Sequence, residues 1–169
     1  MKQLSHRYDS PVGPLFLVAT AKGLSGIYWR RPRGAGSDLR EPTDRRDLAG
    51  AKRILARAKR QLGEYFAKKR KNFDLPLHFA GGTVFQRKVW AELARIPYGR
   101  TVSYRDLARR IHHERAVRAV GSANGRNPFS IVMPCHRVIA SNGTLGGYAG
   151  GLKAKSRLLA IERLKARKH

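Results

Sequence analysis

The alternation of apolar and polar positions divides the first eighty residues into short strands and one long helix. Residues 6–29 read as strands. The apolar run Leu15-Phe16-Leu17-Val18-Ala19 lies between Pro14 and a Lys22-Gly23 turn, and Leu24 to Trp29 returns, which predicts a hairpin. Residues 30–47 are rich in Arg, Pro, Gly and Asp, carry little periodicity and read as a loop. From Asp47 to about Lys69, the positions Leu48, Ala51, Ile54, Leu55, Ala58, Leu62, Tyr65 and Phe66 step by three and four, which predicts an amphipathic helix. Phe73 to Leu77 reads as a further strand. Gly81-Gly82 marks a boundary between two lobes, 1–80 and 81–169.

The second lobe reads as mostly helical. Thr83 is placed to cap a helix carrying Val84, Phe85, Val89, Trp90, Leu93 and Ile96, ending at Pro97-Tyr98-Gly99. Ser103 caps a second helix with Leu107, Ala108 and Ile111. After a break at His112-His113 a third runs from Glu114 to about Ala123. Two short helices with a tight turn fit a helix-turn-helix and an ordinary helical hairpin alike. The third helix is small-sided, with Ala116, Ala119, Gly121, Ser122 and Ala123 around Arg118. Tight packing inside the protein and close approach to DNA both favour such a helix. In the second case Arg118 could fill the gap left by an extruded base.

Composition narrows the partners. The chain has 169 residues, 41% of them hydrophobic, enough to build a core, and its apolar runs are too short to span a membrane. Met1-Lys2-Gln3 leads into a polar stretch rather than a signal peptide. One cysteine allows neither an internal disulfide nor a cysteine zinc cluster. A reducing, intracellular compartment is expected. Lys and Arg total 36 against 11 Asp and Glu, a net charge of +25, which draws the chain to polyanions, nucleic acid ahead of anionic membrane. Between Glu114 and Glu162 there is no carboxylate, so this stretch does not repel phosphates.

The chemistry lies in Ile131-Val132-Met133-Pro134-Cys135-His136-Arg137-Val138-Ile139. Apolar flanks bury Cys135 at least in part. A buried cysteine is ordinarily inert packing, but the adjacent His136 and the cationic surroundings favour thiolate. On a strand, neighbouring side chains point to opposite faces, so a Cys135–His136 link needs a water or a bend. In a last helix, Lys155 to Leu164, Glu162 falls between Leu158 and Leu159 on the wheel and so faces the apolar side. There a lone carboxylate is costly. Its partner is His136 in one reading and an Arg or Lys in the other. Residues 143–151 hold five glycines. They make a flexible linker or, placed right after the nucleophile segment, a pocket wall where backbone meets ligand.

These residues carry a resemblance. Val132-Met133-Pro134-Cys135-His136-Arg137-Val138-Ile139, then Tyr148-Ala149-Gly150-Gly151-Leu152, then Leu158-Leu159 with Glu162, resemble the O6-alkylguanine-DNA alkyltransferases. That family is also called the methylated-DNA–protein-cysteine methyltransferases. The similarity runs from about Gly82 to Leu164 and includes Phe85 to Trp90, Thr101 to Tyr104 and Arg118 to Gly121. The first lobe matches weakly, through Ser10 to Leu15.

The resemblance implies an α+β fold. Its first lobe is ribonuclease H-like, with a small sheet and a helix, and its second is a helical, winged-helix-like lobe with a helix-turn-helix. It implies a stoichiometric repair protein without cofactor or metal. Such a protein flips O6-alkylguanine, and in the same way O4-alkylthymine, out of duplex DNA through the minor groove and keeps the alkyl group. By match Cys135 is the nucleophile, His136 its base through a water, and Glu162 the orienter of His136. Asn127 holds the segment before the cysteine, Tyr104 donates to guanine, and Lys155 accompanies both Tyr104 and Cys135. Backbone carbonyls of Cys135 and Val138 accept from the guanine amino group, and Tyr148 and Ala149 line the pocket. Arg118 replaces the flipped nucleotide, on a helix whose Ala116, Ala119, Gly121 and Ser122 meet DNA. Ala149 stands where some relatives carry a serine, and a backbone N–H takes over that contact. The expected state is a monomer free in solution, cooperative on DNA in one reading. The expected location is cytoplasmic and nucleoid-associated, or nuclear in a eukaryote. Two rival readings are a sensor that binds alkylated DNA without repair and a basic architectural DNA binder. Cys135 speaks against the first. The ordered set Cys135, His136, Tyr148 and Glu162 speaks against the second.

Overall fold

The structure is a computed structural model, described here for residues 2–31 and 42–163. It is a mixed α+β chain of two compact units, Met1–Ala80 and Gly81–His169.

The first unit holds three antiparallel strands, β1 (Leu4–Ser10), β2 (Gly13–Thr20) and β3 (Gly23–Tyr28), in the order β1-β2-β3. Two tight turns set the register, pairing Ser10 with Gly13 and Thr20 with Gly23. The predicted hairpin is β2–β3, and Pro14 sits inside β2 rather than before it. Leu15, Leu17 and Ala19 are fully buried on the central strand. The sheet packs on helix α1 (Arg45–Phe66), whose buried stripe is Gly50, Ala51, Leu55, Ala58, Gln61, Leu62 and Tyr65.

α1 starts two residues before the expected Asp47, because the Asp44 side chain accepts from the N–H groups of Arg46 (2.7 Å) and Asp47 (3.3 Å). It ends at Phe66 rather than Lys69, since Lys68 turns left-handed at φ 60°. Of the expected 30–47 loop, residues 45–47 are therefore helical, and 32–41 lie outside the described residues. The expected strand Phe73–Leu77 reduces to one bridge, Leu24 to Leu77. Pro76 has no N–H to offer, and the Asp74 backbone is taken on both sides by the Gln61 amide, at 2.8 and 2.9 Å. That bonding explains why a glutamine sits in the apolar stripe of α1.

The second unit holds α2 (Val84–Leu93), β4 (Val102–Ser103), α3 (Tyr104–Arg110), α4 (Val117–Gly125), β5 (Val138–Ile139) and α5 (Leu152–Arg163). Thr83 and Gln86 form a reciprocal capping box at α2, and Ser103 caps α3 through the Asp106 N–H at 2.9 Å. α2 stops at Leu93, short of the expected Pro97, and leaves Val84 75% exposed. α4 begins at Val117, not Glu114. His112 at φ 58° ends the preceding helix, and a turn closed by Ala116 N–H to His113 O (2.9 Å) consumes residues 113–116. The Trp90 indole N–H donates to Ala123 O at 2.9 Å and ties α2 to α4. α5 starts at Leu152 rather than Lys155, and the expected terminal Leu164 lies outside the described residues. No described helix is long and apolar enough to cross a membrane.

Candidate active site

Two short parallel strands assemble the site. β4 pairs with β5 through Val102↔Val138 and Ser103↔Ile139. This ladder sets Tyr104, the first residue of α3, beside the segment that ends at Arg137. Residues 135–137 are not the strand expected from their apolar flanks but one 3-10 turn, closed by Arg137 N–H to Pro134 O at 2.9 Å. The segment therefore bends at the Cys-His pair. Upstream, the Asn127 amide donates to Met133 O (2.8 Å) and accepts from Phe129 N–H (3.0 Å). It clamps a loop in which Ile131 adopts φ 73°. A β-branched residue held there stores about 1–3 kcal/mol of strain, which the surrounding bonds must offset.

Cys135 lies in the wall of a cavity of about 590 Å³, of a size to bury a small ligand. The cavity brings together seven residues expected at the site: Tyr104, Arg118, Gly121, Asn127, Cys135, Tyr148 and Ala149. The glycine-rich segment is thus a wall of the cavity through Gly147, Tyr148 and Ala149. His136, Lys155 and Glu162 do not line the cavity; they are buried. Val138 is fully buried in the β4–β5 ladder, away from the lining. Ala119 and Ser122 are exposed on α4, and Ala116 is half-buried at its cap.

The residues that follow the thiol enter a buried polar cluster. His136 Nε2 lies 2.8 Å from Glu162 Oε1. Because a carboxylate accepts, Nε2 carries the proton and Nδ1 is left as the acceptor. Nδ1 has no hydrogen-bond partner among the protein atoms. The two readings of Glu162 both hold, because Arg137 also donates to it, Nε to Oε2 at 2.9 Å and Nη2 to Oε1 at 3.0 Å. Gly99 N–H adds a fourth bond at 3.2 Å. Arg137 is itself held by Ile96 O at 2.5 Å and lies over the Tyr98 ring.

The charges follow from these contacts. Burial raises the Glu162 pKa, but hydrogen bonds and charge from His136 and Arg137 outweigh it and hold the carboxyl at about 2. Burial pushes the His136 imidazole down; Glu162 opposes this, and Arg137 and Lys155 reinforce it. Burial also pushes the Cys135 thiol up, more than hydrogen bonds from Asn127 and Tyr148 and the Lys155 charge bring it down. Desolvation thus opposes the thiolate that His136 and the cationic surroundings are expected to favour. Burial lowers Lys155 to about 8, with the neighbouring Cys135 opposing. Its ammonium donates to Leu145 O and, at 3.4 Å, to Gly147 O, and it lies over the rings of Tyr104 (5.8 Å) and Tyr148 (6.0 Å). Burial keeps Tyr104 protonated, a donor that reaches Gly147 O at 3.5 Å. Among the described residues no cluster of three or more His, Cys, Asp or Glu could hold a metal ion.

The sequence reading missed Arg137 as the partner of Glu162, and also Asn124 and Ser130, both buried in the cavity lining. Arg137 was legible only as part of a cationic stretch. Its burial depends on Ile96, 41 residues away.

Two family models cover nearly the whole chain: a ribonuclease-like domain of 6-O-methylguanine DNA methyltransferase over residues 4–79 and the DNA binding domain of the same proteins over 84–164. A methylated-DNA–protein-cysteine methyltransferase of Methanosarcina barkeri is 44% identical over 154 residues, 91% of this chain and 93% of the relative. The constitutive enzyme of that name from Bacillus subtilis is 56% identical over 111 residues, 65% of this chain and 67% of the relative. Mycobacterium tuberculosis OGT, solved in complex with DNA, superposes with a TM-score of 0.78 at 40% identity, over 95% of this chain and 92% of the other. The chain belongs to the methylated-DNA–protein-cysteine methyltransferase family.

Proposed function

We propose that this chain repairs duplex DNA by moving the alkyl group of O6-alkylguanine, and of O4-alkylthymine, irreversibly onto Cys135. The observation that carries the reading is a single thiol in the wall of a cavity of about 590 Å³, followed in the chain by a buried His136 hydrogen-bonded to Glu162. The damaged nucleotide leaves the stack through the minor groove and enters the cavity, while Arg118 at the rim takes its place. The thiol proton passes through a water to His136 Nδ1, and the imidazolium is held by Glu162. The thiolate sulfur then attacks the alkyl carbon in line. The S–C bond forms, the C–O6 bond breaks, and its electron pair goes to the guanine. Tyr104 supplies the hydrogen bond that takes up the charge. Asn127 keeps the loop before Cys135 in place, and Lys155 supports the thiolate and fixes the wall bearing Tyr148 and Ala149. The carbonyl of Cys135 is the acceptor for the guanine amino group. The Val138 carbonyl is a second acceptor for the same group.

The thioether cannot revert, so each chain acts once. It acts as a monomer or cooperatively along DNA, in the compartment that holds the genome. The test is intact-protein mass spectrometry after mixing with a duplex containing one O6-methylguanine. The expected result is one methyl per chain, located on Cys135, with no further turnover. A chain that binds the duplex tightly and stays unmodified overturns the reading and leaves the sensor in its place.

A further inference from the structure

The first unit carries half of the 36 Lys and Arg, although it lies outside the DNA-binding-domain match. Its cations are ordered. Residues 45–65 of α1 are three seven-residue repeats: Arg45-Arg46-Asp47-Leu48-Ala49-Gly50-Ala51, Lys52-Arg53-Ile54-Leu55-Ala56-Arg57-Ala58 and Lys59-Arg60-Gln61-Leu62-Gly63-Glu64-Tyr65. Each opens on two cations, has Leu fourth, a small residue fifth and a core residue seventh. The seventh positions, Ala51, Ala58 and Tyr65, are fully buried against the sheet. Seven residues fall about 20° short of two turns, so equivalent positions form slowly drifting rows. One row is Arg45, Lys52 and Lys59. A second is Arg46, Arg53 and Arg60. Between them runs a spine of Ala49, Ala56 and Gly63. These rows lie outside the buried stripe of α1, and only Lys59 and Gly63 among their members are half-buried.

Two facts identify the partner. Arg60 pairs weakly with Glu64 at 3.7 Å, but Arg45, Arg46, Lys52, Arg53 and Lys59 make no ion pair among the described residues. The spine, moreover, offers no large apolar side chain, so the face lacks the anchors on which a protein interface depends. It suits a uniform polyanion that the helix can approach closely between two rows of charge. Lys52 and Lys59 also rim a concave cleft of about 260 Å³ shared with Ser5 and His6 of β1. We infer that the outer face of α1 is a second DNA-contacting surface, which grips the phosphate backbone of duplex DNA without reading its sequence. The inference rests on DNA as the substrate. Three cation pairs spaced about 10.5 Å apart span some twenty ångströms of helix, alongside about a dozen phosphates.

The test compares two variants of the full chain that lose equal charge. In one, Arg45, Lys52, Arg53 and Lys59 are replaced by Gln, which keeps helix propensity. In the other, Lys22, Arg30, Arg31 and Lys69, exposed elsewhere in the first unit, are replaced by Gln. Binding to an undamaged duplex is measured from about 50 to 200 mM salt. Each lost phosphate contact lowers the slope of log K against log salt by about 0.9, so the α1 variant should lose about 2–4 from the slope and the control less than about one. Methyl transfer at saturating damaged duplex should be unchanged in both, and circular dichroism confirms the α1 fold. An unchanged slope in the α1 variant, or an equal loss in the control, overturns the inference. So does loss of binding to anionic phospholipid vesicles with the DNA slope intact. Failure of the repair reading shows differently, as absence of methyl transfer in the unaltered chain.

Discussion

Replacing Glu162 with Gln tests whether the buried polar chain acts on the thiol or only holds the fold. Both Glu162 oxygens face donors: His136 Nε2 and Arg137 Nη2 at Oε1, Arg137 Nε and Gly99 N–H at Oε2. A Gln amide keeps one acceptor and turns an NH2 toward two donors, so at least two of the four bonds are lost. Arg137 is left buried without a counter-charge, a loss of about 3–5 kcal/mol. The carboxyl's displacement from 4.5 to about 2 gives a similar figure, about 3 kcal/mol. The folded pKa is depressed, so this stability is present above pH 4.5 and is lost as pH falls through about 2. Glu162→Gln should flatten that acid limb.

Stability alone does not separate a relay from a structural salt bridge, because Arg137 makes both readings destabilising. The pH–rate profile does. Glu162 raises the His136 pKa and Arg137 lowers it. Glu162→Gln therefore removes support for the imidazolium and should move single-turnover methyl transfer to higher pH. Each pH unit that the profile moves costs about tenfold in rate at neutral pH. Arg137→Met leaves Glu162 to His136 alone and should move the profile to lower pH. Both variants melt earlier. Rapid-quench transfer from an O6-methylguanine duplex at a temperature where all variants are folded gives the profiles. Coincident profiles beside lowered melting temperatures would falsify the relay.

Three further substitutions probe other links. Cys135→Ser should abolish methyl transfer and leave duplex affinity unchanged in a gel-shift titration, since a hydroxyl is a far poorer nucleophile at neutral pH; methylated protein from this variant would remove Cys135 from its role. Arg118→Ala should slow transfer from duplex DNA far more than reaction with free O6-benzylguanine, because only the duplex requires a few kcal/mol of unstacking; equal losses would place Arg118 elsewhere. Gly82→Ala should lower the melting temperature by about 5 °C or more, because φ is 103° and the new Cβ would lie 2.5 Å from the Trp90 ring. An unchanged melt would show that the indole moves aside easily.

The elements that periodicity and capping control were legible in the sequence. Thr83, Ser103 and the three-and-four spacing of α1 announced their helices because the forces involved act within a turn or two. What the sequence concealed depends on distant partners. Residues 73–77 carry a strand's apolar content, yet Gln61 and Pro76 divert their backbone bonds. Cys135-His136-Arg137 has a strand's flanks, yet folds as a 3-10 turn beneath the Asn127 clamp. The phase of Glu162 on α5 was readable, and so was a choice between His136 and a cation. That both partners bind at once required the 3-10 turn, which brings His136 and Arg137 to the same carboxylate.

The protonation of Cys135 shows how charge acts here at two lengths. A net +25 invites the idea that the whole protein activates its thiol. At physiological salt, however, exposed charges are screened beyond about 8 Å, so surface Lys and Arg reach DNA phosphates but barely affect a buried sulfur. Inside that distance the inventory is short. Arg137 is committed to Glu162, and Lys155, lowered by burial to about 8, acts on the thiol with less effect than burial has. Desolvation therefore outweighs these charges and opposes the thiolate, and on the proposed route the proton's acceptor is His136. On the proposed function, surface charge governs how often the protein meets DNA, and the buried cluster governs whether the meeting ends in transfer. A mutation that changes one should leave the other almost untouched. Lys155→Met should thus slow methyl transfer while the salt slope of DNA binding stays constant. A parallel fall in both would show that the buried lysine and the surface act as one field.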